Sequence, residues 1–335
     1  MRVGVFGYDL KFIRPIVGEL ETNHSVVVRT VESGSLHAFP IEAVSDLVSW
    51  ADVIVCEFFG PYAERLTSMT RPDQPVMVRL HRFELHRGFA DAVEPGLVSR
   101  VVCVNDFYAS ALAARSAFPM SAITVIPNAI DTDAFDRPKD QAASLTVGFL
   151  GASSQRKRLD LALDVIEEVR GDVPDAVLSI KSEHPENLKW VMDDPAERAY
   201  FEAVRPRLDE ASAAGAVLWN PHGSDVAEWF QSVGFTLSTS DDESFHMAPA
   251  EGMASGTVPV VRHWPGAETV YDDRWLYDET SEAADVIARF MTRIEVREEA
   301  STEARAQCER FALPTVGSQW YRTLVELVSG AGAGP

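Results

Sequence analysis

Short apolar runs, each followed by a stretch long enough to cross over a sheet, recur through the first half of this chain, at residues 2–6, 25–29, 52–56, 76–80, 101–104 and 123–126. A strand that is apolar on successive residues is buried on both faces, and parallel neighbours require such crossovers. The pattern therefore predicts an α/β fold with a doubly wound parallel sheet. Ligands of such sheets sit beyond the carboxyl ends of the strands, so Gly7-Tyr8-Asp9, Glu57-Phe58, His81-Arg82 and Asn105-Asp106 are predicted to share one rim. Gly7 stands alone and is not a dinucleotide fingerprint; it reads either as a plain turn or as a ligand contact.

A second alternating series opens at residues 145–151, continues through a helix to Val169, and adds strands at 176–180, 216–219, 235–237 and 258–261. Residues 138–144 between the two series are polar, begin with Pro138 and carry no periodicity, which predicts a linker. The chain has 335 residues, 46% of them apolar, enough for the cores of two ordinary domains. The small-residue tail 329–335 is predicted to be disordered.

Net charge is −21, with five lysines among thirty basic residues, which disfavours nucleic acid and leaves at most peripheral contact with a membrane. No apolar run approaches a membrane span, and Met1 to Phe6 reads directly as a strand rather than a signal peptide, so a cytoplasmic location is expected. Cys56, Cys103 and Cys308 are odd in number and widely spaced, which predicts reduced packing residues rather than a disulfide framework or metal knuckle.

The most informative stretch for chemistry runs Asp241-Asp242-Glu243-Ser244-Phe245-His246-Met247-Ala248-Pro249-Ala250-Glu251-Gly252-Met253-Ala254-Ser255-Gly256, then Thr257-Val258-Pro259-Val260-Val261. It reads as a loop, a short helix starting between Phe245 and Met247, and a buried strand, with Pro249 in the first turn and Gly256 as the stop. The N–H groups of Phe245, His246 and Met247 then lack intrahelical acceptors and suit a phosphate. Glu243 precedes the helix and Glu251 projects from its second turn. Carboxylates beside an anion site suit hydroxyl groups, and a ligand carrying both phosphate and sugars is a nucleotide sugar.

This block resembles the E-x7-E signature of the retaining GT-B glycosyltransferases of glycosyltransferase family 4. The resemblance rests on Glu243, Phe245, Pro249, Glu251, Met253, Ala254, Gly256, Pro259, Val260 and Val261, with Pro249 one place late and His246 in place of the usual glycine. Ile126-Pro127-Asn128-Ala129-Ile130-Asp131-Thr132-Asp133-Ala134-Phe135 resembles the family's I-P-N-G-x-D-x-x-x-F segment, with Ala129 for glycine. The loop from Gly151 to Asp160 resembles its diphosphate-clamping G-R-L-x-x-x-K loop: Lys157 matches the lysine, and Ala152 stands where the arginine belongs. Residues 311–328 resemble the last helix, which crosses back onto the first domain.

The resemblance implies two Rossmann-like domains facing across a cleft. Residues 1–137, completed by 314–328, would take the acceptor, and residues 145–313 the nucleotide-sugar donor. Glu251 would hold the ribose hydroxyls, Glu243 a hydroxyl of the transferred sugar, and the 245–247 amides the sugar and phosphate. Lys157 would stabilise the leaving diphosphate, His81 would reach the donor sugar, and His222 would be either a base contact or an ordinary loop residue. Arg156, Arg158, Arg79 and Arg82 are the candidates for the second cation that Ala152 fails to supply. Catalysis in this family is metal-independent and needs no cofactor beyond the donor, so Asp131-Thr132-Asp133, although a D-x-D, is not expected to chelate. The acceptor is a hydroxyl on a glycan, a lipid-linked molecule or a small molecule, met by a rim that includes Lys11-Phe12, Phe58-Phe59 and Arg82-Phe83.

Two other readings compete. A glycosidase using Glu243 and Glu251 as acid and nucleophile leaves Lys157 and the phosphate-ready helix end unexplained. A non-catalytic nucleotide-sugar binder, or an inactive partner subunit, is motivated by Ala152 and His246.

Overall fold

The computed structural model describes residues 1–331, and two compact units partition them: Met1–Ala129 with the stretch from Phe311 onward, and Ile130–Arg310. Each unit holds one six-stranded, wholly parallel sheet. The first contains β1 (Arg2–Gly7), β2 (Val27–Glu32), β3 (Val53–Glu57), β4 (Val76–Leu80), β5 (Arg100–Cys103) and β6 (Ile123–Val125), in the order β2-β1-β3-β4-β5-β6. The second contains β7 (Thr146–Leu150), β8 (Val177–Lys181), β9 (Val217–Asn220), β10 (Phe235–Ser238), β11 (Val258–Arg262) and β12 (Leu276–Tyr277), in the order β12-β11-β10-β7-β8-β9.

Alternation along fully apolar strands divides the first core in two. Ile54, Cys56, Val76 and Val78 face one layer of helices, while Val53, Val55 and Met77 face the other. The second layer is completed by Val316, Trp320 and Leu324 of the helix Leu313–Ala331, all fully buried. Burying one such side chain contributes roughly 1.5–3 kcal/mol, so this late helix is an integral part of the first unit. All three cysteines are free and buried. No helix among the described residues is long and apolar enough to cross a membrane.

Several boundaries differ from expectation for local reasons. β2 starts at Val27 rather than residue 25, because Ser25 adopts a φ of 51° that no strand contains. The helical stretch after β12 breaks at Arg293 into Thr280–Thr292 and Ile294–Cys308. Residues 130–137, expected with the first domain, pack with the second: the Asp131 carboxylate accepts from the Ala134 N–H at 3.1 Å, capping the short helix Thr132–Phe135. That cap gives the first aspartate of the D-x-D a structural task. The expected linker contains a 3-10 turn, Gln141–Leu145, whose Ala143 carbonyl lies so close to Gly234 that a Cβ there would come within 2.1 Å. Of the tail, Ser329 to Ala331 continue the last helix, and 332–335 lie outside the described residues.

Candidate active site

Strand order in the second sheet reverses between β10 and β7, and such a switch point opens a crevice at the carboxyl ends of the two strands. The loops leaving those strands, 151–158 and 239–246, are laced together. The Asp241 N–H donates to the Arg156 carbonyl at 2.9 Å, and Thr239 Oγ1 donates to the carbonyls of Lys157 at 2.7 Å and Arg158 at 2.8 Å. This lacing brings the side chains of Arg156 and Lys157 onto Glu243. Both Arg156 Nη1 and Lys157 Nζ lie 2.6 Å from Glu243 Oε1, which also accepts from Ser240 Oγ at 3.0 Å.

The helix Met247–Ala254 begins as the sequence predicted, with Glu243 in the loop before it and Glu251 on its second turn. Its N-cap, His246, has φ 61° and ψ 86°, a left-handed conformation that costs a residue other than glycine about 1–3 kcal/mol. Tyr271 holds it there, its Oη donating to the carbonyl of His246 at 2.6 Å and lying 3.2 Å from that of Phe245. The His246 ring is buried, with Nδ1 2.9 Å from Ser238 Oγ and Nε2 3.1 Å from Lys157 Nζ. Phe245 is buried and Met247 half-buried.

Burial alone would raise the Glu243 carboxyl, but the Lys157 ammonium, with Arg156 behind it, holds it well below the usual carboxylate range. His246 is pushed down to about 3 by burial and then by the Lys157 charge, so its ring is neutral at neutral pH. Glu251 is different: half-buried, its carboxyl has no hydrogen-bond partner among the described residues, and burial lifts it to about 7. The crevice thus presents two cations on an ionised carboxylate, and a second carboxylate with unused acceptor capacity.

The candidates for a second cation separate clearly. Ala152 is fully buried, its N–H donating to Ser182 Oγ at 2.9 Å. Arg158 turns away to Asp160 at 2.7 Å and Asp241 at 3.3 Å. Arg79 is fully buried in the first unit, paired with Glu57 at 3.3 Å, hydrogen-bonded to Asn128 and 5.4 Å from the Trp320 ring centre. It braces the I-P-N segment and is unavailable to a ligand. Arg82 is half-buried on the helix that follows β4. Arg156 is the guanidinium that shares Glu243 with Lys157.

In the first sheet the order reverses between β1 and β3, whose ends carry Gly7 and Glu57, with His81 just past the end of the neighbouring β4. His81 caps the helix Arg82–Arg87, only 6% exposed, with Nε2 3.1 Å from Glu57 Oε1. Its ring packs against both Phe12 and Phe58, with centroids 5.0 and 4.2 Å away, and burial lowers its pKa. Gly7 is buried at the end of β1, where a Cβ would stand 2.8 Å from the Glu57 carbonyl oxygen, so close packing is one reason for the glycine. His222 is exposed in the loop after the edge strand β9.

Sequence reasoning missed Ser238, Tyr271 and the pairing of Glu57 with His81. Glu57 and His81 were both recognised as rim residues, and neighbouring parallel strands bring such ends together. Tyr271 is a lone aromatic that bonds backbone carbonyls and leaves no pattern.

Residues 144–293, within the second unit, match the family described as Glycosyl transferases group 1. No match was found among curated protein sequences. Among solved structures, Anabaena HepE in complex with UDP and glucose superposes with a TM-score of 0.71 at 14% identity, covering 97% of this chain and 100% of its own. A glycosyltransferase from Rickettsia africae ESF-5 gives 0.71 at 11% identity, with 100% and 99% covered. The lipopolysaccharide outer core galactosyltransferase WaaB gives 0.61 at 13% identity, with 98% and 99% covered. At these identities the likeness establishes the fold, that of the GT-B glycosyltransferases.

Proposed function

We propose that the protein is a metal-independent, retaining glycosyltransferase that moves a hexosyl group from a nucleoside-diphosphate sugar to a hydroxyl acceptor. The observation that carries this reading is the sharing of Glu243 by Lys157 and Arg156 at the switch point of the second sheet, on the helix-and-loop frame that presents Glu251, whose carboxyl has no hydrogen-bond partner among the described residues. The family match over the same residues and the UDP and UDP-glucose complexes of HepE support it, and favour UDP as the first nucleotide to test.

Glu251 accepts hydrogen bonds from the ribose hydroxyls and Glu243 from a hydroxyl of the transferred sugar. The first-turn amides of the helix Met247–Ala254 face phosphate oxygens. As the bond from the anomeric carbon to the phosphate oxygen breaks, the departing diphosphate gathers charge that Lys157 and Arg156 stabilise. The acceptor oxygen bonds to the same face of the sugar, its proton passes to the departing phosphate oxygen, and the products are a glycoside and a nucleoside diphosphate. Positioning and two fixed cations supply the rate, with no protein nucleophile and no metal required. Arg156 is assigned to the diphosphate.

Thermal shift with UDP, GDP and ADP tests the binding step, because a ligand of the native state alone raises its melting temperature. At least one of the three is expected to do so. Nucleotide release from the matching sugar donor over an acceptor panel, unaffected by EDTA and giving a product of retained anomeric configuration by NMR, tests the rest. A melting temperature unmoved by all three at saturating concentration refutes the proposal.

A further inference from the structure

The backbone at position 246 favours glycine, yet this chain places there a histidine whose side chain is 5% exposed and whose two ring nitrogens are both engaged. Nε2 lies 3.1 Å from Lys157 Nζ, and Nδ1 lies 2.9 Å from Ser238 Oγ. An ammonium only donates, so Nε2 accepts through its lone pair and the ring proton resides on Nδ1, directed at Ser238. The Tyr271 hydroxyl anchors the backbone of the same residue at 2.6 Å, and the Trp264 ring meets the imidazole edge-on at 5.8 Å.

We propose that His246 is a positioning residue for Lys157: as a neutral acceptor fixed by Ser238, it joins Glu243 in aiming the ammonium before any substrate arrives. A lysine on a flexible four-carbon stem follows a single carboxylate wherever that carboxylate moves; two acceptors at separate points define its place. The second acceptor is uncharged for a reason. Another carboxylate would cancel the positive charge that a leaving diphosphate draws on, whereas an imidazole holds the ammonium and leaves the charge in place. Glycine here would relax the backbone and release the lysine. The catalytic consequence rests on the glycosyl-transfer reading above; the hydrogen-bond arrangement does not.

Two measurements test it. In the free protein at neutral pH, 15N NMR of the His246 ring is expected to show the neutral tautomer with Nδ1 protonated. A ring protonated on Nε2, or an imidazolium, overturns the proposal whatever the enzyme does. In turnover of UDP-, GDP- or ADP-glucose, His246→Phe, His246→Asn and His246→Gly are expected to lower kcat by at least about tenfold while donor KM changes by less than about threefold. His246→Gln, whose side-chain carbonyl reaches the Nε2 position, recovers most of that loss, with melting temperatures of all variants read in parallel. A His246→Phe protein that keeps its kcat, or a His246→Gln protein that falls equally far, overturns the positioning role. A wild-type protein inert on all three donors sinks the transferase reading instead, and the NMR result still decides the inference.

Discussion

Nucleotide affinity is expected to follow the ionisation of Glu251. Its carboxyl is half-buried, lacks a hydrogen-bond partner among the described residues and is lifted by burial to about 7. A carboxylate that accepts from two ribose hydroxyls must be ionised, so near pH 7 only about half of the free protein is in the binding form. The apparent dissociation constant for UDP then carries a factor of about 1.1 at pH 8, about 2 at pH 7 and about 11 at pH 6, a tenfold weakening over two units. Calorimetric titration at constant ionic strength reads this directly, and Glu251→Gln removes it. The titration of UDP itself is common to both proteins and cancels in their ratio. Folding stability responds with the opposite tendency. A carboxyl raised from 4.5 to about 7 makes the folded state hold a proton that the unfolded chain has released, so the stability present below pH 4.5 is lost as pH rises through 7. The span amounts to about 3 kcal/mol, which partial solvent exposure reduces to about 1–2 kcal/mol. Glu251→Gln is thus expected to exceed wild type in stability at pH 8 and to match it near pH 5. Equal pH dependence of UDP binding in the two proteins, or tighter wild-type binding on acidification, refutes the assignment of Glu251 to the ribose.

Replacing Lys157 with Met is expected to lower kcat by about 100- to 1,000-fold, the usual cost of one preorganised charge at a developing anion, with steady-state kinetics as the readout. Glu243→Gln frees Lys157 and Arg156 from their carboxylate, so UDP is expected to bind more tightly while turnover falls; weaker UDP binding contradicts the charge layout. Arg79→Met strands the buried Glu57 without its guanidinium and is expected to cost about 3–5 kcal/mol in denaturant unfolding, much of it recovered by adding Glu57→Gln. Gly252→Ala puts a Cβ 2.0 Å from Thr236 Oγ1, and the forced shift is expected to lower the melting temperature by several degrees.

The central strands were legible because burial on both faces writes an uninterrupted apolar run, and β4 falls where the run predicts, whereas the edge strand β2 is largely exposed. The two-residue β12 was not, being too short to carry a period. Glu243 and Glu251 could be singled out because their spacing around one short helix is a local property of the chain, and Lys157 because the loop that carries it resembles a family loop. Ser238 and Tyr271 could not, since each acts through the way a loop folds back on them. Arg79 was misjudged as a possible ligand cation, and strand parity held the answer: residue 79 shares a face with Met77, which lies in the layer that contains Trp320.

The charge layout of the crevice also bears on what it is built to receive. In a chain of net charge −21, the basic triplet Arg156-Lys157-Arg158 stands against the acidic triplet Asp241-Asp242-Glu243. Arg156 and Lys157 meet Glu243, and Arg158 shares Asp241 with Arg262, so the cations are compensated locally before any ligand arrives. A bare nucleoside diphosphate must compete with Glu243 for both of its cations. A complete donor does not compete in the same way, because the sugar brings hydroxyl donors that engage Glu243 and let Lys157 and Arg156 turn toward the phosphates. Under the proposed reaction the two events are then coupled: the sugar arms the cations, and once it has been transferred Glu243 draws them back, favouring release of the nucleotide. The pairing that looks like self-inhibition in the free protein is, on this account, what makes the crevice complementary to substrate rather than to product.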